Sequence, residues 1–419
     1  DEAYQKFLSN PLKTLISVKE NLTNKYVLKT NSVTRVGERL SSKTYDEVKA
    51  FTIVNFDNFL KSKIDIKPYI LPYEKSIEIE SYQDWWVCEK VLQRKRIIFN
   101  VIGSLKLGMG HIYHSLALAH EITDHEVIFV CDEKYKIAVD KIASMDYKVI
   151  ATKKTQKTIL ELKPDLVIND ILNTDKKYIM TLRKSNIKVV NFEDLGSGSK
   201  HADIVFNELY DIPQLKGSNY FWGYKFLALR DEFDEAKPHK FKKKIESILI
   251  TFGGTDQNNL TLITLKSIIN IIKKTNIKVY IVCGSGYLHK KELEEYIQNL
   301  ILKNIELTYA IGVISKIMEK TSLAISSNGR TVYELADMNI PSIVISHHER
   351  EDTHTFANLE KGFINLGIYN NNKTESLIEE SFKKLIYDND YRKLLFLNIK
   401  KYKFRDNKQK VVNKILNLL

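Results

Sequence analysis

The stretch RIIFNVIGSLKLGMGHIYHSLALAHEI, residues 96–122, contains an apolar run, a turn with Gly108 and Gly110, and a segment with helical spacing. The run RIIFNVIG is rich in β-branched and aromatic residues and predicts a buried strand. The segment SLALAHEI places apolar residues at helical intervals. Because α/β proteins bind ligands where a parallel strand is followed by a helix, this stretch predicts an α/β fold and a candidate site.

The same alternation of apolar runs and helical segments extends through residues 94–235 and starts again at residue 245. Strands separated by helices indicate a parallel sheet with right-handed crossovers. Between the two series lies DEFDEAKPHKFKKK, residues 231–244, whose charge and proline predict a linker. We therefore predict two Rossmann-like domains with a cleft between them, residues 94–235 and residues 236–419, the second ending in helices.

Residues 1–93 do not follow this alternation and contain few clear strands. We expect them to form a third, incomplete unit. The chain begins with Asp1 rather than Met, so we expect it to be part of a longer protein. Its first residues lack the basic start and apolar core of a signal peptide.

The composition is that of an ordinary globular protein, with 43% hydrophobic and 28% charged residues. No run of about 18 uncharged apolar residues is present, so no transmembrane helix is predicted. The net charge of +12 comes largely from lysines scattered among isoleucine and asparagine, without an arginine–aromatic stripe. This favours a solvated surface over nucleic-acid binding. A basic surface also suits anionic substrates and peripheral contact with an anionic membrane face.

The three cysteines, Cys88, Cys131 and Cys283, are far apart and form neither a CxxC pair nor a metal-binding spacing. We expect buried, free thiols in a reducing compartment. The predicted location is therefore cytoplasmic.

Three turns share one pattern, in which glycine follows an apolar run and precedes a helical segment. Glycine permits a positive φ and a close backbone approach, and a helix N-terminus offers free N–H groups and partial positive charge. Together these features suit a phosphate. Neither GxxxxGK[ST] nor GxGxxG is present, which disfavours a Walker A loop and an NAD site. The turns lie at residues 108–111, 253–256 and 326–331, and we expect them to hold a nucleotide-containing ligand.

The segment GMGHIYHSLALA, residues 108–119, resembles the GxGHxxR...LA signature of UDP-sugar hydrolases that release 2,4-diacetamido-2,4,6-trideoxy-altrose in pseudaminic acid synthesis. YFWGYKFLALRDEF and ITFGGTDQNNLT resemble two further segments of that family. SSNGRTVYELADMNIPSIVIS is similar to the donor-binding segment of that family and of glycosyltransferase family 28. The four motifs occur in the family order over roughly residues 95–370, and the resemblance implies a GT-B fold with a UDP-sugar substrate.

Roles for individual residues follow from these motifs. His111 is the predicted catalytic base, because histidine titrates near neutrality and the resemblance places a functional histidine here. We expect the positive end of the helix to help keep its ring neutral. Glu334, one helical turn after the third glycine turn, can reach back to the ribose hydroxyls, and the resemblance to family 28 agrees. The remaining predicted substrate contacts are Gly108, Gly110, His114, Gly253, Gly254, Thr255, Asn328, Gly329, Arg330, Thr331 and His354.

Arg330 and the backbone N–H groups of the turns at residues 253–255 and 328–330 can carry the diphosphate charge without a metal ion. We therefore expect no cofactor for this module. Two positions depart from the family pattern. His114 stands where the family has arginine, and REDTHTFA, residues 350–357, replaces a glutamine-rich segment near the donor sugar. Both departures bear on the identity of the sugar.

Two N-terminal segments have a separate resemblance. PYEKSIEIESYQDWWVCEKVL and GERLSSKTYDEVKAFTIVNFDNFL, residues 72–92 and 37–60, resemble the C-terminal part of CMP-sialic acid synthetase-like cytidylyltransferases. In that family an acidic residue of this pattern helps to hold Mg²⁺, and Glu78, Glu80 and Asp84 occupy the acidic positions. The CTP-binding loop of the family is absent, so we expect a silent fragment that would use Mg²⁺ only if complete. Trp85 and Trp86 are predicted to pack in a core.

The combined prediction is a UDP-sugar hydrolase that cleaves the anomeric C–O bond with water as acceptor. One alternative is a GT-B glycosyltransferase that passes the sugar to an acceptor hydroxyl. An exposed apolar patch on the first domain would favour a lipid acceptor, and a closed polar pocket would favour water. The other alternative is a non-catalytic protein that binds a nucleotide sugar, since His114 replaces the family arginine.

Overall fold

The computed structural model describes residues 2–9, 14–21, 26–29, 32–35, 44–56, 66–104, 108–371 and 373–419. The chain divides into two compact units, Asp1–Arg94 and Lys95–Leu419. Residues 36–43 and 57–65, which include both ends of the segment 37–60, lie outside the described residues. None of the described helices has the length and apolar character needed to cross a membrane.

The described elements of the first unit are α1 Glu2–Leu8, β1 Thr14–Asn21, β2 Tyr26–Lys29, β3 Ser32–Arg35, β4 Thr44–Ile53, β5 Ile66–Ile70 and α2 Tyr82–Gln93. Strand β1 pairs with β4 in antiparallel and with β5 in parallel orientation, and β2 and β3 form a separate hairpin. The expectation of few clear strands is therefore wrong. A register shift between Ile16 and Val18 interrupts the two-residue repeat of β1, which hides this strand in the sequence.

Trp85 and Trp86 do not pack in a core, contrary to the prediction. Each side chain is 61% exposed, and α2 has no buried residue. The two indoles are consecutive in a helix, so they point about 100° apart and one packing face cannot cover both.

The second unit begins with a seven-stranded parallel sheet, whose strand order is β12-β11-β10-β9-β6-β7-β8. Its strands are β6 Arg96–Val101, β7 Glu126–Cys131, β8 Lys148–Ala151, β9 Leu166–Asp170, β10 Lys188–Phe192, β11 Ile204–Asn207 and β12 Tyr220–Trp222. Its helices are α3 Gly110–His120, α4 Lys136–Ala143, α5 Thr155–Leu162 and α6 Lys176–Lys184. The central strands are apolar and fully covered, as expected for a parallel sheet with helices on both faces.

A six-stranded parallel sheet follows, in the order β15-β14-β13-β16-β17-β18. Its strands are β13 Ser247–Thr251, β14 Lys278–Cys283, β15 Ile305–Tyr309, β16 Leu323–Ser327, β17 Ser342–Ser346 and β18 Phe363–Ile368. Its helices are α7 Leu260–Thr275, α8 Lys290–Leu300, α9 Ser315–Met318, α10 Thr331–Asp337, α11 Glu349–Asp352, α12 Thr374–Tyr387 and α13 Asn389–Ile399. The predicted pair of Rossmann-like parallel sheets is confirmed.

The last helix, α14 Asn407–Leu416, belongs to the first sheet rather than to the second. Val411, Val412 and Ile415 are buried in the same apolar cluster as Phe99 of β6. The assignment of residues 407–416 to the second domain is therefore corrected. Sequence order suggests that assignment, because the apolar face of a helix does not indicate which sheet it covers.

The cysteines are free thiols, as expected, but only two of them are buried. Cys131 and Cys283 end strands β7 and β14, while Cys88 is partly exposed on α2.

Candidate active site

Both sheets of the second unit have a topological switch point, which is where open α/β sheets bind ligands. In the first sheet, β6 and β9 are neighbours, and the chain continues outward from them in opposite directions. In the second sheet, β13 and β16 have the same relation. The three glycine turns follow β6, β13 and β16, so the topology places each of them at the carboxyl edge of a switch-point strand.

A cavity of about 320 Å³ lies where these turns meet. Of the predicted site residues in the second unit, only Asn328 does not line it. The predicted residues that do are Gly108, Gly110, His111, His114, Gly253, Gly254, Thr255, Gly329, Arg330, Thr331, Glu334 and His354.

The turns of the two sheets lie near each other at two glycines. A Cβ added to Gly254 would lie 3.4 Å from the backbone nitrogen of Met109, and one added to Gly110 would lie 3.7 Å from Cδ of Arg330. Gly108 and Gly253 have positive φ values of 80° and 71°, which side chains with a Cβ rarely adopt. The turns of the two domains therefore lie close together around the cavity.

His111 stands in the first turn of α3 with its ring beside the end of β9. Its Nδ1 lies 2.6 Å from Oδ1 of Asp170, which is fully buried. The two histidines bound to Asp170 hold the pKa of that carboxyl well below its usual value, against the effect of burial. A carboxylate can only accept, so Nδ1 of His111 donates and Nε2 is the nitrogen that can act as a base.

The pKa of His111 is raised, contrary to the expected effect of the helix terminus. Burial lowers this pKa, but the carboxylates of Asp170 and Glu193 outweigh it. Full negative charges at close range have a stronger effect on the ring than the partial charge of a helix end.

His114 lies one turn further along α3 and lines the cavity with very little exposed surface. Its Nδ1 donates to Oδ2 of Asp170 over 2.7 Å, and its ring packs edge-on against Phe192 at 4.6 Å. Burial lowers its pKa, with Arg330 adding to the effect. With only 2% of the residue exposed, its observed contacts are protein groups, and a substrate contact stays a prediction.

Arg330 bridges the two domains in this structure. Its Nη2 donates to Oε1 of Glu193 over 2.6 Å and lies 2.8 Å from Oε1 of Glu208. Although burial raises the pKa of Glu193, Arg330 lowers it below its usual value, while burial raises the pKa of Glu208 to about 7. The predicted diphosphate contact is thus paired with two first-domain carboxylates.

Asn328 and His354 hold one loop against the third glycine turn. Nδ2 of Asn328 donates to the backbone oxygens of Glu351 and His354, over 2.9 and 3.2 Å. Nδ1 of His354 lies 2.8 Å from the Asn328 carbonyl and therefore donates to it. The amide of Asn328 thus positions the loop, and its contact with a substrate stays a prediction. The buried Nε2 of His354 has no hydrogen-bond partner within the described part of the chain.

Glu334 lies in the first turn of α10, and its Oε1 accepts from Nε of Arg230 over 2.8 Å. Glu351 lies beside the same turn, with Oε1 3.4 Å from the position of a Cβ on Gly329, and burial raises its pKa to about 7. The wall near α10 therefore holds two carboxyl groups.

Sequence reasoning missed the acidic residues of the first domain. Asp170 ends β9, Glu193 follows β10, and Glu208 follows β11. All three stand at carboxyl ends of predicted parallel strands, which is the signal that could have found them. Arg230, Arg350 and Glu351 were also missed, although they lie inside quoted motifs or next to them.

Outside this unit, the predicted magnesium ligands have other partners. Oε1 of Glu78 accepts from the backbone of Lys49, and Glu80 pairs with Nζ of Lys49 at 3.2 Å. Asp84 accepts from the backbone and hydroxyl of Ser81 in the capping box that begins α2. Each of the three carboxylates thus has a hydrogen-bond or ion-pair partner within the first unit. Their role in metal binding stays a prediction.

Comparison with known families agrees with the C-terminal part of this description. Residues 247–411 match the model of the glycosyltransferase family 28 C-terminal domain. An uncharacterized protein of Methanocaldococcus jannaschii is 31% identical over 267 residues, which cover 59% of this chain and 54% of that protein. The chain thus spans about half the length of that relative.

A second relative bears on the sequence motifs. The UDP-2,4-diacetamido-2,4,6-trideoxy-β-L-altropyranose hydrolase of Campylobacter jejuni is 28% identical over 254 residues, covering 57% of this chain and 87% of the hydrolase. The predicted resemblance to these hydrolases is confirmed at this level of identity.

Among solved structures, MurG of Acinetobacter baumannii superimposes with a TM-score of 0.57 and 14% identity, covering 77% of this chain and 99% of MurG. This likeness concerns the fold alone. The chain therefore carries the two parallel sheets of the GT-B fold, and its second domain is similar to the C-terminal domain of glycosyltransferase family 28.

Proposed function

We propose that residues 95–419 hydrolyse a UDP-linked diacetamido-trideoxy sugar in the synthesis of a nonulosonic acid of the pseudaminic type. The observation that carries the proposal is the position of His111. Its imidazole lines the cavity formed by the turns of both domains, and its Nδ1 is engaged by a buried carboxylate. The similarity to the Campylobacter hydrolase supports the reaction and the substrate class.

In this proposal the second domain binds UDP. Glu334 accepts hydrogen bonds from the ribose hydroxyls, and the turns at residues 253–255 and 328–330 donate backbone N–H groups to the diphosphate. Arg330 adds positive charge once the diphosphate competes with Glu193 and Glu208. Since these groups can neutralise the diphosphate, UDP should bind equally well with a chelator present, and loss of binding with EDTA would contradict this arrangement.

The first domain supplies the base. Nε2 of His111 takes a proton from water as the water oxygen bonds to the anomeric carbon. The bond from that carbon to the diphosphate oxygen breaks with its electron pair, and UDP leaves as the anion. The products are UDP and the free sugar, so the reaction needs no other reactant.

The test is UDP release from a panel of UDP-sugars, with and without acceptor alcohols. His111→Asn should retain UDP affinity and reduce turnover by roughly 10²–10⁴-fold, the usual contribution of a general base. Wild-type turnover by this variant on the true substrate would exclude His111 as the base.

A glycosyltransferase is the second candidate, and the family 28 match favours it. It shares the proposed donor site and differs in the acceptor. Among the described residues of 95–235, the large hydrophobic side chains that are exposed are Ile137, Met145 and Ile212, which gives little surface for a lipid acceptor. UDP release that depends on an added acceptor would favour the transferase.

We further propose that residues 1–94 are a cytidylyltransferase-like fragment without activity of its own. The acidic residues could contact Mg²⁺, but this ion needs substrate phosphates to complete its shell, and the triphosphate loop of that family is absent from the sequence. Formation of a CMP-sugar from CTP by this chain would contradict the proposal.

A further inference from the structure

Asp170 has an unusual set of partners, all of which come from one helix. Its Oδ1 accepts from Nδ1 of His111 over 2.6 Å, and its Oδ2 accepts from Nδ1 of His114 over 2.7 Å and from the hydroxyl of Ser115 over 3.1 Å. The residue is fully buried at the end of β9. A buried carboxylate is costly unless its oxygens are satisfied, and here three donors satisfy them.

The helix geometry explains why one carboxylate can engage both imidazoles. Residues three and four apart lie on the same helix face, so His111, His114 and Ser115 form one patch on α3. The position of β9 beside β6 places Asp170 opposite this patch, because the turn that starts α3 follows β6. The pairing therefore depends on the switch point of the first sheet.

We propose that Asp170 is the positioning residue of His111 and that His114 is the second tether that fixes Asp170. The contact with Asp170 holds the proton of the neutral His111 ring on Nδ1 and fixes the ring plane, so that Nε2 presents its lone pair to the cavity. His114 keeps the carboxylate from rotating, because it occupies the other oxygen. The inference rests on the proposed function, since it concerns the base of that reaction.

The charged and titratable groups around the His111 ring come from several elements. Asp170 and Glu193 stabilise its protonated form, while Arg330 opposes it. His114 shares the carboxylate, and Glu208 lies 3.9 Å from Nε2 of His114. Removal of the Asp170 charge should thus lower the pKa of His111, and the acidic limb of kcat/KM should move to lower pH.

The first experiment needs no substrate. Histidine labelled with ¹⁵N is followed by NMR in the full chain at a pH above the titration of His111, whose resonances are assigned from their absence in His111→Asn. We expect Nδ1 protonated and Nε2 unprotonated. Asp170→Asn should shift the ring toward the Nε2-protonated tautomer. An Nε2-protonated ring in the wild type, or an unchanged tautomer in Asp170→Asn, would overturn the proposal.

Kinetic measurements distinguish a role of Asp170 in positioning His111 from a role in folding. Asp170→Asn should lower kcat by about 10²–10⁴-fold, as for loss of the base, and move the acidic limb to lower pH. The matched control is Asp194→Asn, because Asp194 is also buried in this domain but hydrogen bonds to Thr174 and Asn191. Asp194→Asn should leave the acidic limb of kcat/KM at the wild-type pH, even if the variant is less stable. An unmoved limb in Asp170→Asn would contradict the proposal.

Variants of His114 provide a second route if Asp170→Asn does not fold. In His114→Asn the amide nitrogen can replace Nδ1, so we expect the tautomer of His111 to be retained. In His114→Phe the tether is lost, and kcat should fall at least tenfold below that of His114→Asn. Equal kcat values for the two variants would remove His114 from the proposal. Because the NMR result does not depend on turnover, it stands even if no UDP-sugar is hydrolysed.

Discussion

At the scale of single residues, charged side chains at the cavity are paired with one another. Arg330 is held between Glu193 and Glu208, and Glu334 is paired with Arg230. The ion pairs of Arg330 must be weakened or shared when a diphosphate binds. Removing one partner of a buried ion pair is costly, so a substitution here combines the loss of a ligand contact with a buried charge that is left unpaired.

Glu334→Ala should weaken UDP binding by about 1.5–3 kcal/mol, because a charged hydrogen bond to the ribose is lost. Titration calorimetry measures the difference. The control is 2′,3′-dideoxy-UDP, which has no hydroxyls for the carboxylate to accept and should bind the wild type and the variant alike. Equal UDP affinity of the two proteins would remove Glu334 from the ribose site.

At the scale of elements, the final helix is connected to the linker by a compact ion cluster. Nζ of Lys408 on α14 lies 2.6 Å from Asp231, 2.8 Å from Asp234 and 3.2 Å from Glu121. The carboxylates raise the pKa of Lys408 despite burial. Because the acids are partly exposed, the cluster stabilises the protein less than a fully buried one would.

Lys408→Ala should lower the free energy of unfolding by about 1–2 kcal/mol, after allowance for solvent screening. The pKa of Asp231 is lowered from 3.8, since Lys408 and His120 outweigh the effect of burial. A depressed carboxyl pKa stabilises the fold above the unfolded value and ceases to do so as pH falls through the folded value. The deficit of the variant, measured by denaturant unfolding, should therefore shrink below about pH 4.

Lys410→Ala is the matched control, since Lys410 is an exposed lysine on the same helix whose Nζ lies over the ring of Phe226. It should cost less than Lys408→Ala and show no acid dependence. A similar loss in both variants at neutral pH would contradict the role of the cluster.

The helices and strands also show which parts of the fold can be predicted from the sequence. The strands of the second unit are continuous apolar runs, and glycine turns follow three of them, so both sheets and the cleft are predictable. The pairing of Asp170 with two histidines is not, because it depends on β9 returning beside β6. The return of α14 to the first sheet is hidden for a related reason. Its apolar face indicates burial, and only the tertiary fold selects the sheet.

At the scale of the whole molecule, Arg330 and Arg350 connect the two domains across the cavity. Arg330 contacts Glu193 and Glu208, and Arg350 donates to the backbone oxygen of Glu193 over 2.9 Å. Glu193 has a positive φ of 51°, which a residue of its type adopts only when its surroundings impose it. Part of the domain contact is therefore made at a residue held in an uncommon backbone conformation.

UDP-sugar binding should strengthen as pH falls from 8 to 6. Burial raises the pKa of Glu208 to about 7, and its proton removes a charge that competes with the diphosphate for Arg330. The anionic ligand raises this pKa further, so binding takes up protons. A shift of one pKa unit changes affinity by up to about tenfold.

Calorimetry in buffers of different ionisation enthalpy measures this uptake, with UDP-N-acetylglucosamine as the probe because its diphosphate is a diester. The His111→Asn background prevents turnover and removes a second titrating group. Glu208→Gln should bind the probe at least as tightly as its parent and show less proton uptake. Uptake that persists unchanged in Glu208→Gln would assign it to another group.

The return of α14 has a mechanical consequence. The chain passes between the domains twice, once in the linker after Asp234 and once before Asn407, and Arg405 of the second passage donates to the backbone oxygens of Asp234 and Ala236 in the first. Two domains joined by a single chain segment can rotate relative to each other about any axis. Two bodies joined at two adjacent points retain rotation mainly about the line through those points. The cleft should therefore open and close by rotation about a single axis. Each closure should bring the same residues of the two domains to face each other.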